Sequence, residues 1–336
     1  MLSMYLKLRI VTTIEGFIGT ILNLLTLFIV FKTQFGSKST TLMLRLQTIF
    51  DCTACFLYAM YSATENENLL NNKNPTDISF INELLCYLWS YNIAFWSGVI
   101  LSVQNIVCIS IDRFIAVLFP IIYKTHQLLL IIIFITYQLG MIGLLFTPII
   151  FFRRFDNDTC IYVPGPNGID SSTYIAFRGY TWLSFQYIIP VLIITISHLS
   201  IIIELKKRQY QSKTLRPIEV SLRNKGCELN EQKKLNKLVL ITAIMSGQQA
   251  TLHLYESIRY FLTMLNIVIF GYGTIGQQMG PFLIVLSSCI NPCIIIGTTV
   301  SVRRRFSHYL HEIWIKIRRD NVIQKKEIQV LNGYIN

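Results

Sequence analysis

Seven stretches of this chain are each long and apolar enough to cross a bilayer, and they leave little sequence over for anything else. A helix crossing roughly 30 Å of hydrocarbon needs about 20 mostly apolar residues. Runs of that kind lie at Ile10–Phe31, Leu42–Ser62, Cys86–Val117, Leu128–Phe152, Thr181–Leu205, Leu235–Met264 and Thr274–Thr299. The 336 residues would suffice for two soluble domains, but 52% are hydrophobic and only 14% are charged, which is too apolar for that. The runs predict an all-α fold, a seven-transmembrane helix bundle over residues 1–300. Residues 301–336 form a cytoplasmic segment. There "SVRRRFSHYLHEIWIKIRRD" spaces Phe306, Leu310, Ile313 and Ile317 among basic residues, which predicts a short amphipathic eighth helix on the inner membrane face. The polar stretch from Lys206 to Lys237 has no apolar periodicity and is expected to be a partly mobile loop.

The net charge of +12 raises the possibility of nucleic acid, and its distribution argues against it. Seven spans put the ends on opposite sides. One side collects 23 of the 30 Lys and Arg, while the other holds Lys7, Arg9, Lys73, Arg153, Arg154 and Arg178 facing seven acids. Basic loops stay in the cytoplasm, so the amino terminus is expected outside and the carboxyl terminus inside, in a plasma-membrane protein whose surroundings are the lipid bilayer. With this topology only Cys86 and Cys160 of the eight cysteines reach the oxidising side, where a disulfide persists. Asn157-Asp158-Thr159 is a glycosylation sequon in that same outer loop.

"IVCISIDRFIAVLFP" places Asp112 and Arg113 together in an apolar run. A charge in hydrocarbon costs roughly 2.5 to 3.5 kcal/mol on insertion scales, so such a residue carries a functional expectation. From Cys86 to Asp112 a helix rises about 39 Å at 1.5 Å per residue. The pair therefore emerges at the cytoplasmic mouth of the bundle rather than in its middle.

"SIDRFIAVLFP" resembles the Asp-Arg-Tyr motif that ends the third helix of rhodopsin-like (class A) G-protein-coupled receptors, with Phe114 in place of Tyr. The resemblance runs along nearly the whole chain. "GTILN" (Gly19 to Asn23) resembles the first-helix motif, Asp51 the second-helix acid, Pro190 the fifth-helix proline and "SSCINP" (Ser287 to Pro292) the start of the seventh-helix motif. The departures mark a divergent member, similar to an invertebrate (flatworm-type) orphan receptor. Ile295 and His198 replace tyrosines, and Gln248-Gln249-Ala250-Thr251 stands where the family has Cys-Trp-x-Pro. The resemblance implies a receptor that binds an extracellular ligand and activates a heterotrimeric G protein through Asp112, Arg113 and Phe114. It needs no cofactor and is not an enzyme. It also argues against amines and retinal, because Phe95 takes the place of the amine-receptor acid and Val285 that of the opsin lysine. The other class considered is a seven-helix transporter or channel. It is disfavoured because only the last run is heavily interrupted by Gly and Pro, with no matching half.

Two sites are expected inside the bundle. Asp51, the only acid deep in the second run, can meet Ser102, Ser288 and Asn291, with Asn23, in an oxygen cage for sodium. An ion-free hydrogen-bonded network is the alternative. Nearer the outside, Gln249, His253, Glu256 and Arg259 fall within about a 120° arc of the sixth helix. Asn92, Phe95 and Trp96, Trp182 and Gln186, and Gln277 and Gln278 are expected at similar depth. A wide pocket with charges of both signs suits a peptide, while a plain Glu256–Arg259 structural pair is the competing explanation.

Overall fold

The computed structural model describes residues 4–35, 37–64, 92–150, 153–156, 159–162, 171–214, 222–268, 274–299, 302–309, 311–312 and 314–315. Seven long helices account for most of them. These are α1 (Met4–Phe31), α2 (Lys38–Thr64), α3 (Ile93–Leu118), α4 (Gln127–Ile150), α5, α6 (Leu222–Met264) and α7 (Ile275–Thr298). α5 runs in three consecutive stretches, Ser171–Leu183, a π-helical turn Ser184–Ile188, and Ile189–Thr214. A one-turn helix, Pro120–Thr125, links α3 to α4, with its proline at the first helical position, where the missing N–H is harmless.

Six of the seven helices are long and apolar enough to cross a membrane. α6 is the exception, because its second half carries Gln248, Gln249, His253, Glu256 and Arg259. It is also the longest helix at 43 residues, or about 65 Å, roughly twice the hydrocarbon thickness. Together with the extension of α5 to Thr214, this corrects the expectation of a loop from Lys206 to Lys237, since both ends of that stretch are helical. Charge removes apolar periodicity without removing helix propensity, as Lys, Arg, Glu and Gln are good helix formers. The π turn and the antiparallel pair Arg153–Asp156 with Thr159–Tyr162 were not expected either. In the π turn Ile189 N–H returns to Ser184 five residues earlier, and Pro190, which has no N–H, leaves the Phe185 carbonyl without the next such bond. The Phe185 carbonyl in that turn accepts instead from Gln104 Nε2 of α3, at 2.9 Å.

α3 is the axis of the bundle. Of its most apolar stretch 72% is buried, against 22% for α4, which turns Leu128, Leu129, Ile132, Ile133 and Leu139 outward in the manner of a lipid-facing helix. α1 packs on α2 and α7, α2 on α3, α3 on α5, and α6 on α7. Beyond α7, helical residues 302–309 fold back on the bundle. Val302 is buried, and Phe306 and Tyr309 pack against the same apolar cluster as Ile29, Ile106 and Met245. Leu310, Ile313 and Ile317, expected on the same stripe, lie outside the described residues, as do Cys86 and Asn157.

Gly19 sets the close approach of α1. A Cβ there would run into Cys289 Sγ of α7 and come within 2.7 Å of Cys55 Sγ of α2. Gly19→Ala is therefore expected to destabilise the bundle by about 1–3 kcal/mol through overpacking, seen as a lower thermal midpoint of the detergent-solubilised chain. Adding Cys289→Ala should recover part of the loss. A midpoint for Gly19→Ala equal to wild type would show that α1 does not seat as described.

Candidate functional site

Three polar constellations are stacked along α3. The first closes one end of the bundle. Asp112 is fully buried and Arg113 is 3% exposed, and they form an ion pair. Arg113 Nε donates to Asp112 Oδ2 at 3.1 Å. The carboxylate also accepts from Ser39 Oγ (2.7 Å), Thr40 Oγ1 (2.9 Å) and Tyr123 OH (3.0 Å). Arg113 Nη2 in turn donates to Tyr123 OH at 3.0 Å and to Thr40. A buried charge pair is tolerable only when its remaining donors and acceptors are met, and here α2 and the Pro120–Thr125 turn meet them. Phe114 points elsewhere, into an apolar contact with Val117, Ile201 and Val239. Ser39, Thr40 and Tyr123 were missed in the sequence. Hydroxyl residues near helix ends are ordinary, and only the pairing of α2 with α3 makes these three partners of the acid.

The second constellation lies about 15 Å along α3, the rise of ten residues from Asp112 to Ser102. Asp51 Oδ1 accepts from Ser102 Oγ at 2.6 Å, and its Oδ2 accepts from Asn291 Nδ2 at 2.8 Å and Gln47 Nε2 at 3.1 Å. Ser288 is buried beside it. Asn23 belongs to the rim of the cluster: its amide donates to the backbone carbonyls of Gly19 (2.9 Å) and Ser288 (3.1 Å), fixing α1 to α7. Gln47 was not anticipated, although its position one turn before Asp51 was a usable signal. Through Gln47 Oε1 the network continues to Asn105 Nδ2 (2.9 Å), and Asn105 Oδ1 accepts from Gln138 Nε2 of α4 (3.0 Å). From α6, Gln248 Nε2 donates to Asn291 Oδ1 at 2.8 Å and Ser287 Oγ at 3.1 Å. The donor set around Asp51 is one a hard cation can use. In this arrangement Ser102, Gln47 and Asn291 supply the positive ends that a cation would bring.

The third constellation lies toward the opposite end. Tyr58, Phe95, Trp96, Trp182 and Tyr260 form a chain of ring contacts, with successive centroids 4.9, 5.0, 5.5 and 5.2 Å apart, crossing from α2 through α3 and α5 to α6. Edge and tilted contacts at these distances suit the ring quadrupoles. Beside them Glu256, 2% exposed, pairs with Arg259, whose Nε donates to Glu256 Oε2 at 2.7 Å. The carboxylate lies against α7 where Gly280 has no side chain, and a Cβ at that position would overlap Glu256 Oε2. Tyr58 OH donates to Gln278 Oε1 at 2.7 Å, and Gln278 Nε2 donates to Tyr5 OH at 3.3 Å. Of the residues expected to form a pocket, Phe95, Trp96, Trp182, Glu256, Arg259 and Gln278 gather here. Asn92 and Gln277 sit at the starts of α3 and α7, Asn92 with a left-handed backbone (φ 55°). Gln186 and His253 lie deeper, lining a small cavity of about 20 Å³ with Val103, Tyr187, Pro190, Val191, Ile194, Ser246, Gln249 and Ala250. Tyr58 and Tyr260 were not foreseen. Aromatic side chains in apolar helices give no sign of which way they face.

The family model for the 7 transmembrane receptor (rhodopsin family) matches residues 23–295, most of the chain, with five of the seven helices in full and α1 and α7 in part. The chain belongs to that family: it is a multi-pass membrane receptor and not an enzyme. No curated protein matches it.

The Glu256–Arg259 pair gives a stability test. Removing one member of a buried pair strands the other, at a cost of about 3–5 kcal/mol. Glu256→Leu is expected to lower the thermal midpoint of the solubilised chain more than Glu256→Leu combined with Arg259→Leu. A double variant less stable than the single one would mean the two charges act independently.

Proposed function

We propose that this receptor sits in the plasma membrane with its amino terminus outside, takes a peptide at the Glu256 end and activates a heterotrimeric G protein at the Asp112 end. The observation that carries the reading is Arg113 itself. A permanently charged side chain is turned back on its neighbour, 3% exposed, and held by Tyr123 and Thr40 at the mouth of the bundle. Such a clasp is a two-state element: closed, it hides the cation, and open, it presents a guanidinium to a cytoplasmic partner. At the other end, a buried acid–base pair, stacked aromatic rings and the amides of Gln186 and Gln278 offer recognition for a ligand carrying both charge and peptide groups. Asn92, Phe95, Trp96, Trp182, His253 and Gln277 complete that proposed surface. A Cys86–Cys160 disulfide and a glycan on Asn157 belong to the same reading of the outer face, and residues 301–336 to the inner one.

The coupling test needs no agonist. Asp112→Asn removes the charge that holds Arg113, and hydrogen bonds to charged groups are worth about 1.5–3 kcal/mol. That corresponds to roughly a tenfold or larger shift toward the open form. Ligand-independent nucleotide exchange on a panel of G proteins is expected to rise in membranes carrying Asp112→Asn. It should fall to background when Arg113→Ala is added at equal surface abundance. Exchange that persists in the double variant would overturn the assignment.

The reading also seats a sodium ion at Asp51, Ser102, Ser288 and Asn291. Sodium chloride is expected to raise the thermal midpoint of the wild-type chain above that in equimolar choline chloride, and to leave Asp51→Asn unmoved. Equal midpoints in the two salts for wild type would favour the ion-free network.

A further inference from the structure

We propose that the groove between the amino-terminal part of α1 and the last turns of α2 holds a bilayer phospholipid, its phosphate on Arg9 and an acyl chain along Ile10 and Ile14. The inference needs only that the chain spans a membrane, and it involves neither the receptor's ligand nor its G protein. Depth is the first observation. From Arg9 to Phe31, where α1 ends, the helix rises about 33 Å at 1.5 Å per residue, against roughly 30 Å of hydrocarbon. Lys32 directly after Phe31 marks the opposite border. Arg9 therefore stands where hydrocarbon gives way to phosphates, in the leaflet on the amino-terminal side of α1.

The groove has a volume of about 360 Å³, more than twice that of a cavity of about 150 Å³ that admits benzene. Arg9, half-buried, sets its mouth, with Nε donating to the Ser62 carbonyl of α2 at 2.8 Å. Thr13 Oγ1 donates to Ser62 Oγ at 2.8 Å, so the floor ties α1 to α2. Mouth and floor are thus fixed before a lipid arrives, which lowers the ordering cost of binding. Leu6, Ile10 and Ile14, 38%, 44% and 54% exposed, recur every fourth residue and form one apolar stripe along about 12 Å of α1. The lining brings one positive charge and no negative one, so its field favours an anionic head over a neutral one. A guanidinium matches a phosphate with a planar fork of donors. A sterol makes no use of that charge, and free phosphate makes no use of the apolar stripe. A phospholipid uses both, at the depth where its own phosphate lies. Capping of the last α2 carbonyls is the competing account of Arg9, because cations favour helix C-termini. It explains the bond to Ser62 but not the groove beside it.

The test uses the full chain, stripped of lipid in a maltoside detergent, and four probes: dioleoyl phosphatidylglycerol, dioleoylglycerol, cholesterol and inorganic phosphate. Native mass spectrometry reads the ratio of lipid-bound to lipid-free chain, and the thermal midpoint is read in parallel. Phosphatidylglycerol is expected to be retained as one copy per chain and to raise the midpoint, while the other three do neither. Arg9→Gln keeps an N–H for the Ser62 carbonyl and removes the charge, so the bound ratio should fall about tenfold or more. Ala63→Phe fills the groove with Arg9 in place and should lower the ratio as far. Ala63 is exposed near the end of α2, so the fold tolerates that change, and it decides alone if Arg9→Gln does not fold. No retention of phosphatidylglycerol, equal retention of dioleoylglycerol or cholesterol, or a midpoint raised as far by inorganic phosphate would overturn the assignment. So would an unchanged ratio in Ala63→Phe, which places the lipid elsewhere, or in folded Arg9→Gln, which leaves Arg9 as a cap of α2 only.

Discussion

Asp51 is a fully buried carboxylate, and the bundle is arranged around that fact. A carboxylate inside hydrocarbon has to collect its hydrogen bonds from protein, and Asp51 collects them from Gln47 on its own helix, Ser102 on α3 and Asn291 on α7. Those donors are then held by others. Gln47 is fixed by Asn105, Asn105 by Gln138 on α4, and Asn291 by Gln248 on α6. One acid thereby ties five helices into a single register. Apolar contacts cannot do this in lipid, where the surrounding chains are as greasy as the side chains and packing alone sets little preference.

Gln248 shows how the network accommodates divergence. The α6 segment Gln248-Gln249-Ala250-Thr251 has neither the aromatic ring nor the proline that the resemblance leads one to expect. Its first glutamine instead spans to α7, and Tyr187 OH of α5 donates to the Ala250 carbonyl at 3.0 Å. Hydrogen bonds to α7 and from α5 hold α6 where shape would otherwise have to. The second glutamine has nothing to bond and faces the cavity.

The sequence disclosed the helices because each span is an uninterrupted apolar requirement, and it disclosed Asp51, Asp112 and Arg113 because a charge inside such a span stands out. Helix ends were less legible. α1 starts at Met4 rather than Ile10, since Lys7 and Arg9 interrupt hydropathy without interrupting the helix, and Arg9 Nε reaches the Ser62 carbonyl of α2 at 2.8 Å. Partners across helices were the least legible. Tyr123, Ser39 and Thr40 around Asp112, and Tyr58 and Tyr260 beside the two tryptophans, depend on which helix faces meet. One-dimensional spacing does not carry that information. The π turn before Pro190 had a local signal in the proline, but its consequence, a carbonyl handed to Gln104, is visible only in three dimensions.

Satisfaction is uneven across the bundle, and the unevenness has a direction. Around Asp112 and Asp51 every carboxylate oxygen has a partner. On α5 and α6, by contrast, Gln186 Nε2, both ring nitrogens of His198, Gln248 Oε1 and both amide atoms of Gln249 are buried without one. α1 keeps three more orphaned atoms, on Glu15, Asn23 and Thr26, but these are spaced along a helix locked by Gly19 against α2 and α7. Unmet polar atoms raise the energy of the arrangement that contains them by about 1–3 kcal/mol each. A bound group, a water or a shifted helix that meets them lowers it. The α5–α6 side is therefore where a small input of binding energy changes the balance between arrangements most. Arg208 of α5 donates to the Val117 carbonyl at 2.7 Å, one turn of α3 beyond Arg113, so a change on that side acts directly on the end of the helix that carries the clasp.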